Sequence, residues 1–144
     1  MKVKLDKRFR RPGFDYGSNA FYFITINCNN RVKYLGSIQD EKFVPSPIGE
    51  IAINNWEEVP THFPFVKLDE FQCMPDHFHA LLQFKKPTHQ IQKQKNSFGP
   101  QKDNLGVVIA NFKASITRHA NKNGIDFKWH SRYHDRIVDD LSTL

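Results

Sequence analysis

The sequence predicts an α+β fold of the ferredoxin-like kind: an antiparallel sheet with two helices packed on one face. Three observations carry that expectation. Segments with period-two apolar alternation, rich in aromatic and β-branched residues, recur along the chain. Two longer stretches place apolar residues at helical spacing behind a capping residue. Their order reads β-β-α-β-β-α-β. The 144 residues fit one domain and are enough to bury a core. With 39% hydrophobic residues, 13% aromatics and thirteen phenylalanines, the composition excludes a disordered chain. No apolar run of about 18 residues occurs and no apolar leader opens the sequence, so a cytoplasmic protein without a membrane partner is expected. Cys28 and Cys73 are too few and too far apart in sequence for a disulfide framework or zinc knuckle, and are expected to be reduced core thiols.

Residues 1–13 form a basic arm in which Lys2, Lys4, Lys7, Arg8, Arg10 and Arg11 crowd together, and residues 14–144 are expected to form the domain. Pro12-Gly13 and Tyr16-Gly17-Ser18 mark a loop. Asn19 to Cys28 has apolar residues on both faces and reads as a central strand. Asn29-Asn30 suits a tight turn, with Arg31 to Ile38 as the hairpin partner and Lys42 to Val44 as a short extension. Ser46 can cap a helix that has Pro47 at its first position. Ile51, Ala52 and Trp56 are its core stripe and Pro60 its end. Phe65 to Cys73 should pair with the strand that follows it. Lys86 to Asp103 lacks apolar periodicity and reads as a long flexible loop. Asp103 or Asn104 then caps a helix striped by Leu105, Val108, Ile109, Phe112 and Ile116 and ended by Asn123-Gly124. Phe127 to Val138 reads as the last strand, and Asp139 to Leu144 as the start of a helix.

The chemistry concentrates in Met74 to Phe84, MPDHFHALLQF. Alternation puts His77, His79, Leu81 and Gln83 on one face, and Phe78, Ala80, Leu82 and Phe84 on the other. Same-face neighbours on a strand lie roughly 6–7 Å apart at the backbone, so two imidazoles can converge on one ion. Two ligands leave positions for a third protein group, water and substrate oxygens, which describes an open catalytic site better than a structural one. The formal net charge of +6 and a pI near 9.4 point to a polyanionic partner.

MPDHFHALLQF resembles the His-hydrophobic-His motif of the HUH single-tyrosine transposases. FDYGSNAFYFITINCNNRVKYLGSI and PIGEIAINNWEEVP resemble the opening hairpin and first helix of the branch associated with repeated extragenic palindromes. SFGPQKDNLGVVIANFKASITRHA and FKWHSRYHDRIV resemble that branch's second helix and aromatic-rich last strand. The resemblance runs from about Phe14 onward. It implies that His77 and His79 hold a divalent metal, Mg²⁺ or Mn²⁺, against a phosphodiester of single-stranded or hairpin DNA. A tyrosine hydroxyl then attacks to form a 5′-phosphotyrosyl bond and release a 3′-OH. Rejoining needs no outside energy source, because the covalent bond conserves the energy of the one it replaces.

In that family the nucleophile sits on a helix after the last strand, and the sequence ends at Leu144 without a tyrosine there. Tyr133 is the only tyrosine of the C-terminal region and so the candidate nucleophile within the sequence, although it falls at the family's aromatic strand position. Three explanations stay open: a truncated form, a decayed gene whose product binds without cutting, and a tyrosine supplied by another subunit, since some relatives are homodimers that exchange the tyrosine helix. Arg8, Arg10, Arg11, Lys113, Arg118, Lys128 and Arg132 are the candidate DNA phosphate contacts, and Phe14, Tyr16 and Trp129 the candidate stacking platforms. His130 and His134 could share the histidine face and add a ligand or phosphate contact. The alternative to an enzyme is a non-catalytic binder of single-stranded or hairpin nucleic acid on the same sheet. A phosphodiesterase using water in place of tyrosine is a third reading, with Asp76 or His134 as its base.

Overall fold

The computed structural model describes residues 13–87 and 103–138. Strand β1 spans Phe21–Cys28, and a 3₁₀ turn covers Asn29–Arg31. A small hairpin follows, β2 at Gly36–Gln39 and β3 at Lys42–Pro45, before helix α1 at Pro47–Glu57 and the single turn α2 at Val59–His62. Then come β4 at Val66–Met74, β5 at His77–Phe84, α3 at Leu105–Lys122 and β6 at Trp129–Val138. The main sheet has the order β4-β5-β1-β6, with every neighbouring pair antiparallel. Two split β-α-β crossovers, with α1 and α3 on the same face, make it the expected α+β ferredoxin-like fold.

Alternation decides which face meets the helices. On β1, Tyr22, Ile24, Ile26 and Cys28 are fully buried while Phe21, Phe23, Thr25 and Asn27 are partly exposed. On β5, Phe78, Ala80, Leu82 and Phe84 are buried in the same layer. Trp56 of α1 meets Phe78 at 5.3 Å and Phe112 of α3 at 5.1 Å between ring centroids, so both helices and the central strands close on one aromatic cluster. Ser46 caps α1 by accepting from the Gly49 N–H at 3.1 Å, and Asn104 caps α3 by accepting from the Val107 N–H at 3.0 Å.

Three expectations need correction. The segment from Arg31 to Ile38 does not pair with β1, because both edges of β1 are taken, by β5 on one side and β6 on the other. Asn30 and Arg31, at φ 54° and 56°, turn the chain away from the sheet, and β2 pairs instead with β3 through the two-residue loop Asp40-Glu41. Pro60 does not end α1, which stops at Glu57; it sits in the first turn of α2, where a proline is tolerated. Lys86 is not part of a solvated loop. It is 7% exposed, and its Nζ donates to the carbonyls of Gly17 at 2.6 Å and Asp103 at 2.7 Å beside the Phe65 ring. Most of the Lys86–Asp103 stretch, and the segment Asp139 to Leu144, lie outside the described residues.

Candidate metal and nucleic-acid site

The face of the sheet turned away from the helices carries the histidine pair. His79 on β5 lies across from Thr25 on β1 and Gln72 on β4, and Thr25 in turn lies across from His134 on β6. One row of the open face therefore reads Gln72, His79, Thr25, His134. His77 lies between Met74 and Asn27 in the next row. The two imidazole centroids are 5.3 Å apart, close enough to serve one ion.

Each ring is held by a neighbour. His77 Nδ1 donates to Asp76 Oδ1 at 2.8 Å, and the other carboxylate oxygen accepts from Arg31 Nε at 3.1 Å. Burial works against the Asp76 charge, but the hydrogen bonds from His77 and Arg31 outweigh it and hold the carboxyl below its ordinary range. A carboxylate on Nδ1 leaves Nε2 of His77 as the basic nitrogen, the arrangement by which a second partner orients a histidine ligand. His79 Nε2 lies 3.3 Å from Gln72 Oε1. Burial, with the His77 imidazole beside it as a lesser cause, lowers the His79 pKa and so favours the neutral imidazole that a metal needs.

Backbone bonds fix the turn that feeds the pair: Cys28 N–H donates to the Asp76 carbonyl and Leu35 N–H to the Pro75 carbonyl, both at 2.9 Å. The left-handed Asn30-Arg31 turn at the end of β1 brings Arg31 onto Asp76. Among the described residues no group of three or more His, Cys, Asp or Glu side chains could hold a metal. The nitrogen donors that lie side by side on this face are the two imidazoles of His77 and His79. Imidazole nitrogens suit Mn²⁺ better than Mg²⁺, which prefers oxygen.

The other sequence candidates scatter. Tyr133 pairs with Ile26, whose side chain faces the helices, and packs against the core, so it lies on the opposite face from His77 and His79. Tyr16 and Tyr22 are buried, and Tyr34 packs against Phe127 at 5.3 Å. Lys113 belongs to the helix layer, where its Nζ donates to the His130 carbonyl at 2.9 Å and burial lowers its pKa. Arg118 is exposed on the same helix. Arg132 is exposed on β6, in the stretch where the register with β1 shifts. Arg8, Arg10 and Arg11 lie outside the described residues. Of the aromatics chosen as stacking platforms, Tyr16 and Trp129 are buried, 7% and 6% exposed, while Phe14 is partly exposed and packs edge-on against Tyr16 at 5.1 Å. The sequence reading missed Arg31 and Gln72 as partners of the pair, and Phe23 and Arg136 beside it. Strict alternation along β1 was the signal that could have exposed Phe23.

Fold and site together define an α+β sheet protein with a histidine pair on its open face. The chain is 32% identical over 142 residues to an uncharacterized protein of Haemophilus influenzae, covering 93% of this chain and 79% of that protein, and it belongs to the same family. No family model matches. Among solved structures, it resembles a REP-associated tyrosine transposase bound to a REP hairpin, with a TM-score of 0.58 and 13% identity, over 95% of this chain and 65% of that one. The likeness is one of fold, and this chain spans about two thirds of that protein. Among the described residues, no helix is long and apolar enough to cross a membrane.

Proposed function

We propose that this protein is an HUH-type transposase domain, residues 14–144 with a basic arm at 1–13, that handles single-stranded or hairpin DNA. In this reading, cleavage and rejoining run through a 5′-phosphotyrosine and depend on a divalent metal. The observation that carries it is the pair His77 and His79 side by side on the open face of a central strand, with Asp76 and Arg31 orienting His77. The fold likeness to the hairpin-bound transposase supports it.

A bound divalent ion would stabilise charge on the non-bridging phosphate oxygens. His77 and His79 would hold that ion, and Asp76 would keep His77 in the tautomer that presents Nε2. Thr25 and Asn27 form the polar floor beside them, where the phosphate would lie. Arg132 on β6, with Arg8, Arg10 and Arg11 of the arm, would add phosphate contacts. Lys113 and Arg118 lie in the helix layer and are left out of this surface.

None of Tyr16, Tyr22, Tyr34 and Tyr133 faces the pair, so in this reading the attacking tyrosine is not one of the four. The same observation favours a second reading, a binder that does not cut. One experiment separates them. Mn²⁺ titration should show binding by the parent and its loss on His77→Ala with His79→Ala; equal binding by both would refute the metal assignment. The parent is then incubated with 5′- and 3′-labelled hairpin DNA and Mn²⁺ and run on a denaturing gel. A strand cut in trans when a tyrosine-bearing partner chain is added supports the enzyme. Binding with no cleavage under any such supplement supports the binder. An adduct formed by the parent alone would overturn the exclusion of its four tyrosines.

A further inference from the structure

We propose that Phe23 is a nucleobase-stacking platform, its ring on the open face of β1 taking one base of a single-stranded segment whose phosphate lies at the histidine pair. The inference rests on the DNA-binding part of the reading above and adds a site to it. Phe23 is partly exposed although its chain neighbours Tyr22 and Ile24 are fully buried, so the strand presents this ring outward. A lone outward phenylalanine would mean little; its setting is what singles it out. The His79 imidazole lies 5.9 Å away and tilted by 35°, and the Arg136 guanidinium, directly across on β6, lies 5.9 Å from the ring centroid. Leu81, across on β5, closes the surface from the other side and is 8% exposed. Phe21 follows on the same face, roughly 6–7 Å along the strand.

An aromatic face between two cationic or hydrogen-bonding groups suits a flat ligand that also carries negative charge. A nucleotide has that form: its base stacks on the ring without regard to sequence, and the guanidinium stacks on it or takes the phosphate. An apolar peptide or acyl chain would have no use for Arg136 and His79. The net charge of +6 agrees with the same choice. Two outward rings at strand spacing would seat two successive bases, as the aromatics of RNA-binding sheets do.

The test is fluorescence anisotropy in EDTA, so that no metal contributes, using a labelled single-stranded oligonucleotide and an abasic counterpart. The parent should bind the base-bearing strand about 10-fold more tightly. Phe23→Leu, which keeps an apolar side chain on the strand, should remove most of that difference and leave only what Phe21 contributes; Phe23→Trp should keep it. Matching thermal melts show that each variant is folded. If Phe23→Leu discriminates as the parent does, or if the parent binds neither strand, the platform is wrong. The Mn²⁺ titration is independent: intact metal binding with no effect of Phe23→Leu sinks the platform alone, whereas an effect of Phe23→Leu in a protein that binds no Mn²⁺ sinks the metal reading alone.

Discussion

Asp76 shows how much of the site hangs on one carboxylate. It joins His77 to Arg31, and it is the only partner that fixes the His77 tautomer in the bonds described. Asp76→Ala should weaken Mn²⁺ binding roughly 10- to 100-fold, the usual effect of removing a partner that orients a histidine ligand. Arg31→Ala, acting one bond further out, should cost less. Calorimetry on the three proteins checks the order, and an unchanged Asp76→Ala affinity would mean that the strand alone sets the ring. The sequence put Asp76 beside His77, yet Arg31 is 45 residues away, and nothing local announces such a pairing. The cysteines were easier to read. Burial pushes the thiols of Cys28 and Cys73 from 9.0 up to about 12. Both should resist a thiol reagent at pH 8 until the protein unfolds. In the folded state they keep protons that the unfolded chain gives up above about 9. The stability they confer is thus complete below that value and declines as the pH rises toward 12. Rapid labelling of the native protein would contradict their burial.

At the scale of elements, what the sequence disclosed was local. Ser46 and Asn104 cap their helices through bonds three residues long; the α3 stripe is buried as the spacing predicts, and on α1 Ala52 and Trp56 are buried while Ile51 is partly exposed. The partner of β2 was not legible, because whether β1 has a free edge depends on β5 and β6, which arrive 50 or more residues later. The packing of α1 was equally hidden. Gly49 sits where the helix crosses the chain at Leu35, and a Cβ there would fall onto the Leu35 carbonyl, a backbone atom that cannot swing aside. That carbonyl also accepts from the Ser46 N–H at 2.9 Å, so moving it would disturb the cap as well. Gly49→Ala would normally favour a helix by up to about 1 kcal/mol. Here it should destabilise by roughly 1–3 kcal/mol or more, the cost of overpacking. A urea melt decides, and a variant as stable as the parent would show that α1 can shift.

Over the whole molecule the sheet divides the labour: one face packs on the helices, and the other presents the histidine pair, although Leu81 and Val138 further along that face are buried. Period-two alternation predicted that division on β5, and the histidines stand where it puts them. It did not tell which outlying aromatics would be covered, because the burial of Tyr16 and Trp129 is decided by α3 and by loops packing from elsewhere. The division predicts opposite outcomes for adjacent residues. Phe78 is fully buried between Trp56, Phe71 and Phe112, and Phe78→Ala should cost about 3–5 kcal/mol through lost burial and a cavity. His77 and His79 are partly exposed on the face away from the helices and stand outside the buried core cluster, so replacing both by Ala should change stability by less than about 1 kcal/mol. In thermal melts the first variant should fall by roughly 6–20 °C and the second by at most a few degrees. Metal binding should follow the reverse order, lost in the folded double variant and kept in Phe78→Ala at any temperature where that protein is still folded. If the double variant melted as low as Phe78→Ala, the histidines would be structural and the open face would lose its strongest claim to chemistry.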